Sequence, residues 1–381
     1  MSRLQAIKSL IPYNIRLKLY NLRQQWQDPW RLWNILLAGV PDRNQAYVYY
    51  GHDNIPQPGE LARGGIVKFQ GLQKILPNSP RRFNILYMVS SRMPEDGVQL
   101  VWLARQKKAK FVWNQNGVAY PAWHGIGWEE TNKPFAKLLH SADYVFYQSK
   151  FCKESADKFL GKREGKWEIL YNAVDTKVFT PADCDPNPKH LVLLLGGTQS
   201  HYYRVESAIR TLAILSHQRS DVRLLITGKL RWTDETEAMR MTQQLVTDLG
   251  VSDRVEFLGA YTQKDAPAIF RKAHILLHTQ YNDACPGMVV EAIACGLPVV
   301  YSHSGGVPEL VGEEAGIGVP TELSWEREIP PDPNALAEAV LQVAEQRAQY
   351  AQAARQRAVE KFDLRPWLVR HQEVFQELLS R

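Results

Sequence analysis

The sequence predicts an α/β protein of two doubly wound, Rossmann-like domains facing across a cleft, preceded by a helical extension. Three observations predict it. Short β-rich runs alternate with helical stretches, the order that builds parallel sheets covered on both faces. The alternation pauses once, in Pro181-Ala182-Asp183-Cys184-Asp185-Pro186-Asn187-Pro188, whose prolines mark a turn or linker. A length of 381 residues, 45% of them apolar, suits two cores rather than one. The chain thus divides into an extension over 1–44, a first domain over 45–180, a second over 181–361 and a last helix over 362–381.

The extension is basic. Residues 1–41 hold Arg3, Lys8, Arg16, Lys18, Arg23 and Arg31 against Asp28 alone, a net +5 of the chain's +6. After Pro12, the apolar residues Ile15, Leu19, Leu22 and Trp26 recur at helical spacing. Asp28-Pro29 reads as the N-cap and first residue of a short helix through Trp30, Trp33 and Leu37. Two readings fit such a segment. It lies on an anionic membrane surface, or it packs on the body with its charges in solvent. The near-neutral remainder carries no nucleic-acid motif, so nucleic acid is not an expected partner. Cys152, Cys184, Cys285 and Cys295 form no CxxC pair and no Cys/His cluster, which points to a reducing compartment without structural zinc. No apolar run reaches the roughly 18 residues of a membrane span. Pro12 and Asn14 break the stretch that a signal peptide would need. The expected location is cytoplasmic, free or peripheral on the membrane face.

In the first domain the expected strands are 46–50, 83–89, 110–114, 144–148 and 167–171. Helices are expected near 65–76, 95–108, 133–140 and 150–159. The second series opens with 191–195, a buried strand ending in Gly196-Gly197. It continues through helix 204–217, strand 223–227, helix 234–249, strand 255–257, helix 264–271, strand 275–278, helix 287–295 and strand 298–301. Asp332-Pro333 opens one helical stretch to Lys361, and 366–379 forms the last helix.

The most informative segment runs from Asn282-Asp283-Ala284-Cys285-Pro286-Gly287-Met288 through Glu291 to Gly296-Leu297-Pro298-Val299-Val300. A helix beginning at Gly287, Met288 and Val289 presents free backbone N–H groups and a partial positive charge, a seat for phosphate. Glu291, one turn in, is placed to accept hydrogen bonds from ribose hydroxyls, and Asp283 faces what lies beyond the phosphates. Taken singly, Asp283 also reads as a cap and Glu291 as a helix polar residue.

This segment resembles the donor-site motif of glycosyltransferase family 4, whose members have the GT-B fold. Asn172-Ala173-Val174-Asp175, with Phe179 and Pro181, resembles that family's Asn-Gly-Val-Asp-x-x-x-Phe-x-Pro. Tyr147-Gln148-Ser149-Lys150-Phe151 sits at its strand-to-helix Ser motif, and Gly305-Gly306-Val307-Pro308-Glu309 resembles its Gly-Gly-x-Pro-Glu loop. Arg63-Gly64-Gly65 resembles the Gly-rich loop that approaches the donor phosphates. The resemblance covers about residues 45–381. It implies transfer from a nucleotide-sugar to a glycan, lipid-linked or small-molecule hydroxyl, with retention and without metal or cofactor. It also implies that the last helix crosses back to the first domain.

The sequence departs from that family in three places. Thr198 follows Gly197 where a diphosphate-binding Arg is usual, and Arg204 stands where Lys is usual. Arg can grip phosphate bidentately. Lys229 reads either as the replacement cation or as a solvated turn lysine. Asp283 replaces the first Glu and shortens the reach to sugar hydroxyls by one methylene. Asn116 matches the position where a His or Asp is usual near the reacting carbon, with His124 from a loop as the alternative. In the implied mechanism Arg204 and the helix start stabilise the leaving diphosphate. The diphosphate itself can take the acceptor's proton, which makes a protein base optional. Asp183-Cys184-Asp185 spells a metal-binding Asp-x-Asp but falls in the linker and is read as no metal site. Trp113, Tyr120, Trp123 and Trp128 serve either as sugar-stacking aromatics of the acceptor side or as packing. An epimerase or phosphorylase shares this architecture, although no pyridoxal-binding lysine can be assigned. Thr198 and Asn116 also fit a degenerate nucleotide- or glycan-binding subunit.

Overall fold

The computed structural model describes residues 30–62, 64–185 and 187–381. The expected helix carrying Ile15 to Trp26, and Arg63, lie outside the described residues. Strands β1 (Val48–Tyr49), β2 (Ile85–Val89), β3 (Lys110–Gln115), β4 (Tyr144–Tyr147) and β5 (Trp167–Ile169) form one parallel sheet in that order. Every residue of β2 is buried because both faces are covered. Leu86 and Met88 enter one core with Leu100 and Leu103 of the helix Gly97–Gln106. Ile85, Tyr87 and Val89 point the other way. They meet Phe69 of the helix Gly64–Leu72 and Trp367, Val374 and Phe375 of the helix Leu364–Leu379.

The second sheet comprises β6 (Leu191–Leu195), β7 (Val222–Thr227), β8 (Val255–Gly259), β9 (Ile275–His278), β10 (Val299–His303) and β11 (Gly316–Pro320). Its order is β11-β10-β9-β6-β7-β8, again parallel throughout. The winding reverses between β6 and β9. In open parallel sheets a crevice forms at that point beyond the carboxyl ends of the strands, and ligands bind there.

Several local expectations needed correcting. Strand β11, the helix Val307–Val311 and the turn of helix Pro121–His124 had no counterpart in the sequence reading. The stretch 332–361 is two helices, Pro333–Glu345 and Arg347–Lys361, broken at Gln346 (φ −116°, ψ 27°). The break aims the second helix at the helix Gly287–Ala294. There Arg355 donates to the carbonyls of Thr176, Phe179 and Ala294. In the linker, Asp185 accepts from Arg347 (2.7 Å) and pairs with His274 (2.8 Å). Arg347, ahead of the Asn187 N–H and His274, holds that carboxyl well below its ordinary range.

Residues 30–37 are helical and dock on the first sheet. Arg31 donates to Asp96 (2.6 Å), Asp53 (3.3 Å), the Gly51 carbonyl (2.9 Å) and the Tyr49 hydroxyl. Ile35 is buried beside it, and its carbonyl accepts from Lys107 Nζ at 2.8 Å. Arg31 is therefore an anchor and not a solvated charge. Among the described residues, no helix is long and apolar enough to cross a membrane.

Candidate active site

The site is built on the loops that leave β6 and β9 at the reversal. After β6 the chain turns at Gly197 (φ +79°), and Gln199, fully buried, donates to the carbonyls of Gly196 (3.0 Å) and Gly197 (2.9 Å). Glycine is required here by close approach. A Cβ on Gly196 would lie 2.2 Å from Met288 Sδ, and one on Gly228 would lie 2.0 Å from the Gly197 carbonyl oxygen. Met288 thus joins the turn to the first residues of the helix Gly287–Ala294. That helix follows Pro286, and among the described residues no side chain caps its start.

Arg204 comes from the first turn of the helix Tyr202–Ser216 and is buried behind the turn. Its guanidinium donates to the Thr198 carbonyl at 2.7 Å, while Nε has no partner among the described residues. Burial lowers its pKa, with nearby Asp283 opposing. Asp283 Oδ2 lies 3.2 Å from Nε2 of His278, a buried residue at the end of β9 whose ring nitrogens make no hydrogen bond among the described residues. Asn282, at φ +48°, turns the chain into this loop and is held by Ser304 Oγ at 2.9 Å. Deeper in, Glu291 accepts from Gln263 at 2.8 Å. Burial raises its pKa, opposed by that hydrogen bond.

The first domain closes directly onto the Asp283 loop. Ser149 Oγ donates to the Ala284 carbonyl (2.7 Å), and Asn172 Nδ2 donates to that of Cys285 (2.6 Å). Glu309 reaches across and caps the helix Lys150–Phe159. It accepts from the Lys150 N–H (2.7 Å), the Phe151 N–H (2.9 Å) and the Tyr171 hydroxyl (3.0 Å). A carboxylate at a helix N-terminus gains from both the free N–H groups and the helix dipole. The backbones of the two second-domain loops pack so closely that a Cβ on Gly306 would lie 2.0 Å from the Ala284 carbonyl oxygen.

The remaining sequence candidates fall on either side of this junction. Asn116 stands at the cleft, its N–H bonded to Ser90 Oγ (2.8 Å), and a Cβ on neighbouring Gly117 would touch Ala284 at 3.1 Å. Gly65 presses on the turn Ser90–Arg92, where a Cβ would meet Arg92 Cγ at 2.6 Å, while Gly64 is exposed and unconstrained. Gly287, Met288 and Val289 form the helix start, and the Val289 N–H is spent on the Pro286 carbonyl. His124 is exposed and pairs with Thr131 (2.9 Å), and the Lys229 ammonium pairs with Glu235 (3.6 Å). Among the described residues neither side chain bonds to the cluster, although the Lys229 carbonyl accepts from the Gln199 N–H at 2.8 Å. Trp113 is fully buried with its N–H on Gln115, and Tyr120 is buried against Trp325 of the second domain. Both are packing residues and not exposed stacking platforms. Trp123 is part-exposed and lies against His201, and Trp128 packs on Phe159.

Lys68, in the helix that begins at Gly64, is a residue the sequence did not single out. Its electrostatic neighbours are Cys285 and Cys152, one from each side of the cleft, and burial pulls its pKa down to about 8. Among the described residues it makes no ion pair. Its position one turn beyond Gly65 was the only available signal.

Residues 181–360 match the family described as Glycosyl transferases group 1. D-inositol 3-phosphate glycosyltransferase of Mycobacteroides abscessus is 28% identical over 215 residues, 53% of this chain and 44% of that protein. The gpi3 component of phosphatidylinositol N-acetylglucosaminyltransferase from Schizosaccharomyces pombe is 25% identical over 181 residues, 48% of this chain and 38% of that protein. The chain spans less than half of the length of these two curated relatives. Among solved structures, Anabaena Alr3699/HepE in complex with UDP superposes with a TM-score of 0.65 at 19% identity, covering 77% of this chain and 79% of that one. Sucrose-phosphate synthase of Thermosynechococcus elongatus gives 0.64 at 20%, covering 82% and 76%.

Proposed function

We propose that this chain, which belongs through residues 181–360 to the group 1 glycosyl transferases and has the GT-B fold, transfers a sugar from a nucleotide donor to a hydroxyl acceptor. The observation that carries the reading is one convergence at the reversal of the second sheet. There the Gly196–Gly197 turn packs on Met288 at the uncapped start of the helix Gly287–Ala294, buried Arg204 bonds to the carbonyls of that turn, and Glu291 follows one turn into the helix. The helix start and the turn receive the diphosphate, Glu291 receives the ribose, and Asp283 receives the sugar. Lys68, entering from the first domain, supplies the cation that Thr198 does not.

As the bond from sugar to diphosphate breaks, negative charge grows on the leaving oxygen beside Lys68, Arg204 and the helix start. Fixed positive groups aimed at developing charge lower the barrier. The leaving diphosphate takes the acceptor hydroxyl's proton on the same face. That route retains configuration, needs no metal and leaves Asn116 to position the acceptor instead of acting as base. The Ser149, Asn172 and Glu309 contacts close the cleft and keep water from the donor. Three of the four free thiols are buried and unpaired, which suits a reducing, cytoplasmic setting.

The test is a thermal-shift titration with UDP, GDP, ADP and their sugar conjugates, with and without EDTA. One nucleotide class should stabilise the protein, indifferent to EDTA, by about 2–3 kcal/mol at a hundredfold excess over Kd. Glu291→Ala and Arg204→Ala should lose the response. If neither substitution weakens it, the donor site lies elsewhere. A donor consumed only when an acceptor is added separates transfer from epimerisation.

A further inference from the structure

We infer that the helix over residues 30–37 is a docking ridge for an anionic bilayer surface. Its solvent face is apolar although its inner face is already seated on the core. Arg31 and Ile35 face inward, whereas Trp30, Trp33 and Leu37 face solvent with relative exposures of 71%, 54% and 66%. Their spacing of three and four residues sets them in one stripe, and Leu36 and Val40 extend it. The helix cannot roll to hide this stripe, because Arg31 is tied to Asp96, Asp53, Tyr49 and Gly51. Contiguous apolar surface kept in solvent marks an interaction site.

The adjoining surface says what kind of partner fits. A cavity of about 620 Å³ opens beside the helix, walled by Arg31, Asn34, Asp53, Ser79, Arg81 and Arg82. Arg31 is neutralised by its carboxylates. Arg81 and Arg82 are exposed and make no ion pair among the described residues. Tryptophan and leucine enter the interfacial layer of a bilayer while flanking arginines meet acidic headgroups. Each such cation near an anionic leaflet is attracted appreciably. A second copy of this chain would bring like charges together, so charge complementarity favours lipid. The inference rests on the transferase reading only for its consequence, that the acceptor is carried at the membrane.

Full-length protein is sedimented with vesicles of phosphatidylcholine alone and of phosphatidylcholine with an equal part of phosphatidylglycerol. The parent sediments with the anionic vesicles only. Arg81→Ser with Arg82→Ser weakens partitioning by about thirtyfold, from roughly 1 kcal/mol per basic side chain. Trp33→Ser with Leu37→Ser weakens it by roughly tenfold or more, from the apolar area no longer buried. All four side chains are exposed, and unchanged melting temperatures verify the fold. Three results overturn the inference: no sedimentation of the parent, sedimentation of both variants like the parent, or a lipid-free dimer dissolved by the Trp33/Leu37 pair. Nucleotide response is read on the same samples. Vesicle binding without any nucleotide response defeats the transferase reading and leaves the ridge standing.

Discussion

Replacing Lys68 with methionine should make the protein more stable and less able to bind its donor. Cys285 and Cys152 are its electrostatic neighbours, and among the described residues it makes no ion pair. Burial brings its pKa from 10.5 to about 8. At about 1.4 kcal/mol per pH unit, the folded state bears a penalty of about 3 kcal/mol for keeping the ammonium charged. The sign follows from linkage. Below pH 8 both folded and unfolded chains hold the proton and the penalty is complete. Between pH 8 and 10.5 the folded chain releases the proton first, so stability rises with pH and the penalty fades. Methionine fills similar space without charge. Lys68→Met should therefore raise the melting temperature at pH 7 by roughly 6 °C, at about 2–4 °C per kcal/mol. The gap from the parent should narrow toward pH 10. Nucleotide affinity should fall at pH 7 by tenfold or more, since a partly desolvated cation facing phosphate contributes on the order of 1.5–3 kcal/mol. In the parent, affinity should weaken as pH rises through 8, where the charge is lost. Differential scanning fluorimetry across pH and calorimetric titration with the nucleotide that stabilises the protein measure both. A destabilised variant, or one with parental affinity, would refute the assignment of Lys68 to the diphosphate.

Two further outcomes follow from groups described above. Glu309→Ala removes three hydrogen bonds that cross the cleft. Each hydrogen bond to a charged group contributes about 1.5–3 kcal/mol, so the variant should populate an open form. Small-angle scattering should give it a larger radius of gyration than the parent, and superimposable profiles would show that the cap does not hold the domains together. His371 is buried, donates from Nδ1 to the Trp367 carbonyl (2.8 Å), accepts at Nε2 from the Tyr87 hydroxyl (3.1 Å), and has its pKa lowered by burial to about 3. The unfolded chain protonates first as pH falls below 6.5, so the parent should lose on the order of 4 kcal/mol between pH 6.5 and 3 through this group. His371→Gln should flatten that part of the stability profile, and equal slopes for the two proteins would count against it.

The elements legible in the sequence were those with strong local signals. Leu191–Leu195 and Ile275–His278 are apolar runs buried on both faces, and Lys150–Phe159 begins at a serine whose side chain caps it. Strand β11 was hidden because Gly316, Gly318 and Pro320 carry none of the usual strand preference, and only pairing with β10 makes it a strand. The break at Gln346 has no proline or glycine to announce it. It exists because the second helix must turn to meet the helix Gly287–Ala294. The site divides in the same way. Asp283, Gly287 and Glu291 belong to one loop and helix, so their spacing alone brings them together. Lys68 and the Glu309 cap arise from contacts between segments far apart in the chain, for which no local pattern exists. Lys229 lies between the two cases: its ammonium pairs with Glu235 at 3.6 Å on the exposed surface, and its carbonyl accepts from the Gln199 N–H beside the Gly197 turn.

The helix Leu364–Leu379 sets the order in which the molecule can be finished during synthesis. Its Trp367, Val374, Phe375 and Leu378 cover one face of the first sheet, over Tyr50, Tyr87, Val112 and Phe146. All of β6 to β11 is translated before that cover leaves the ribosome. The half made first is completed last, and the half made second can close its sheet from contiguous chain while the first still waits. Nascent domains generally fold as units, the earlier one ahead. Here the earlier one would spend the interval with an aromatic-rich sheet face bare, a surface on which chaperones act and on which premature termination would be felt most.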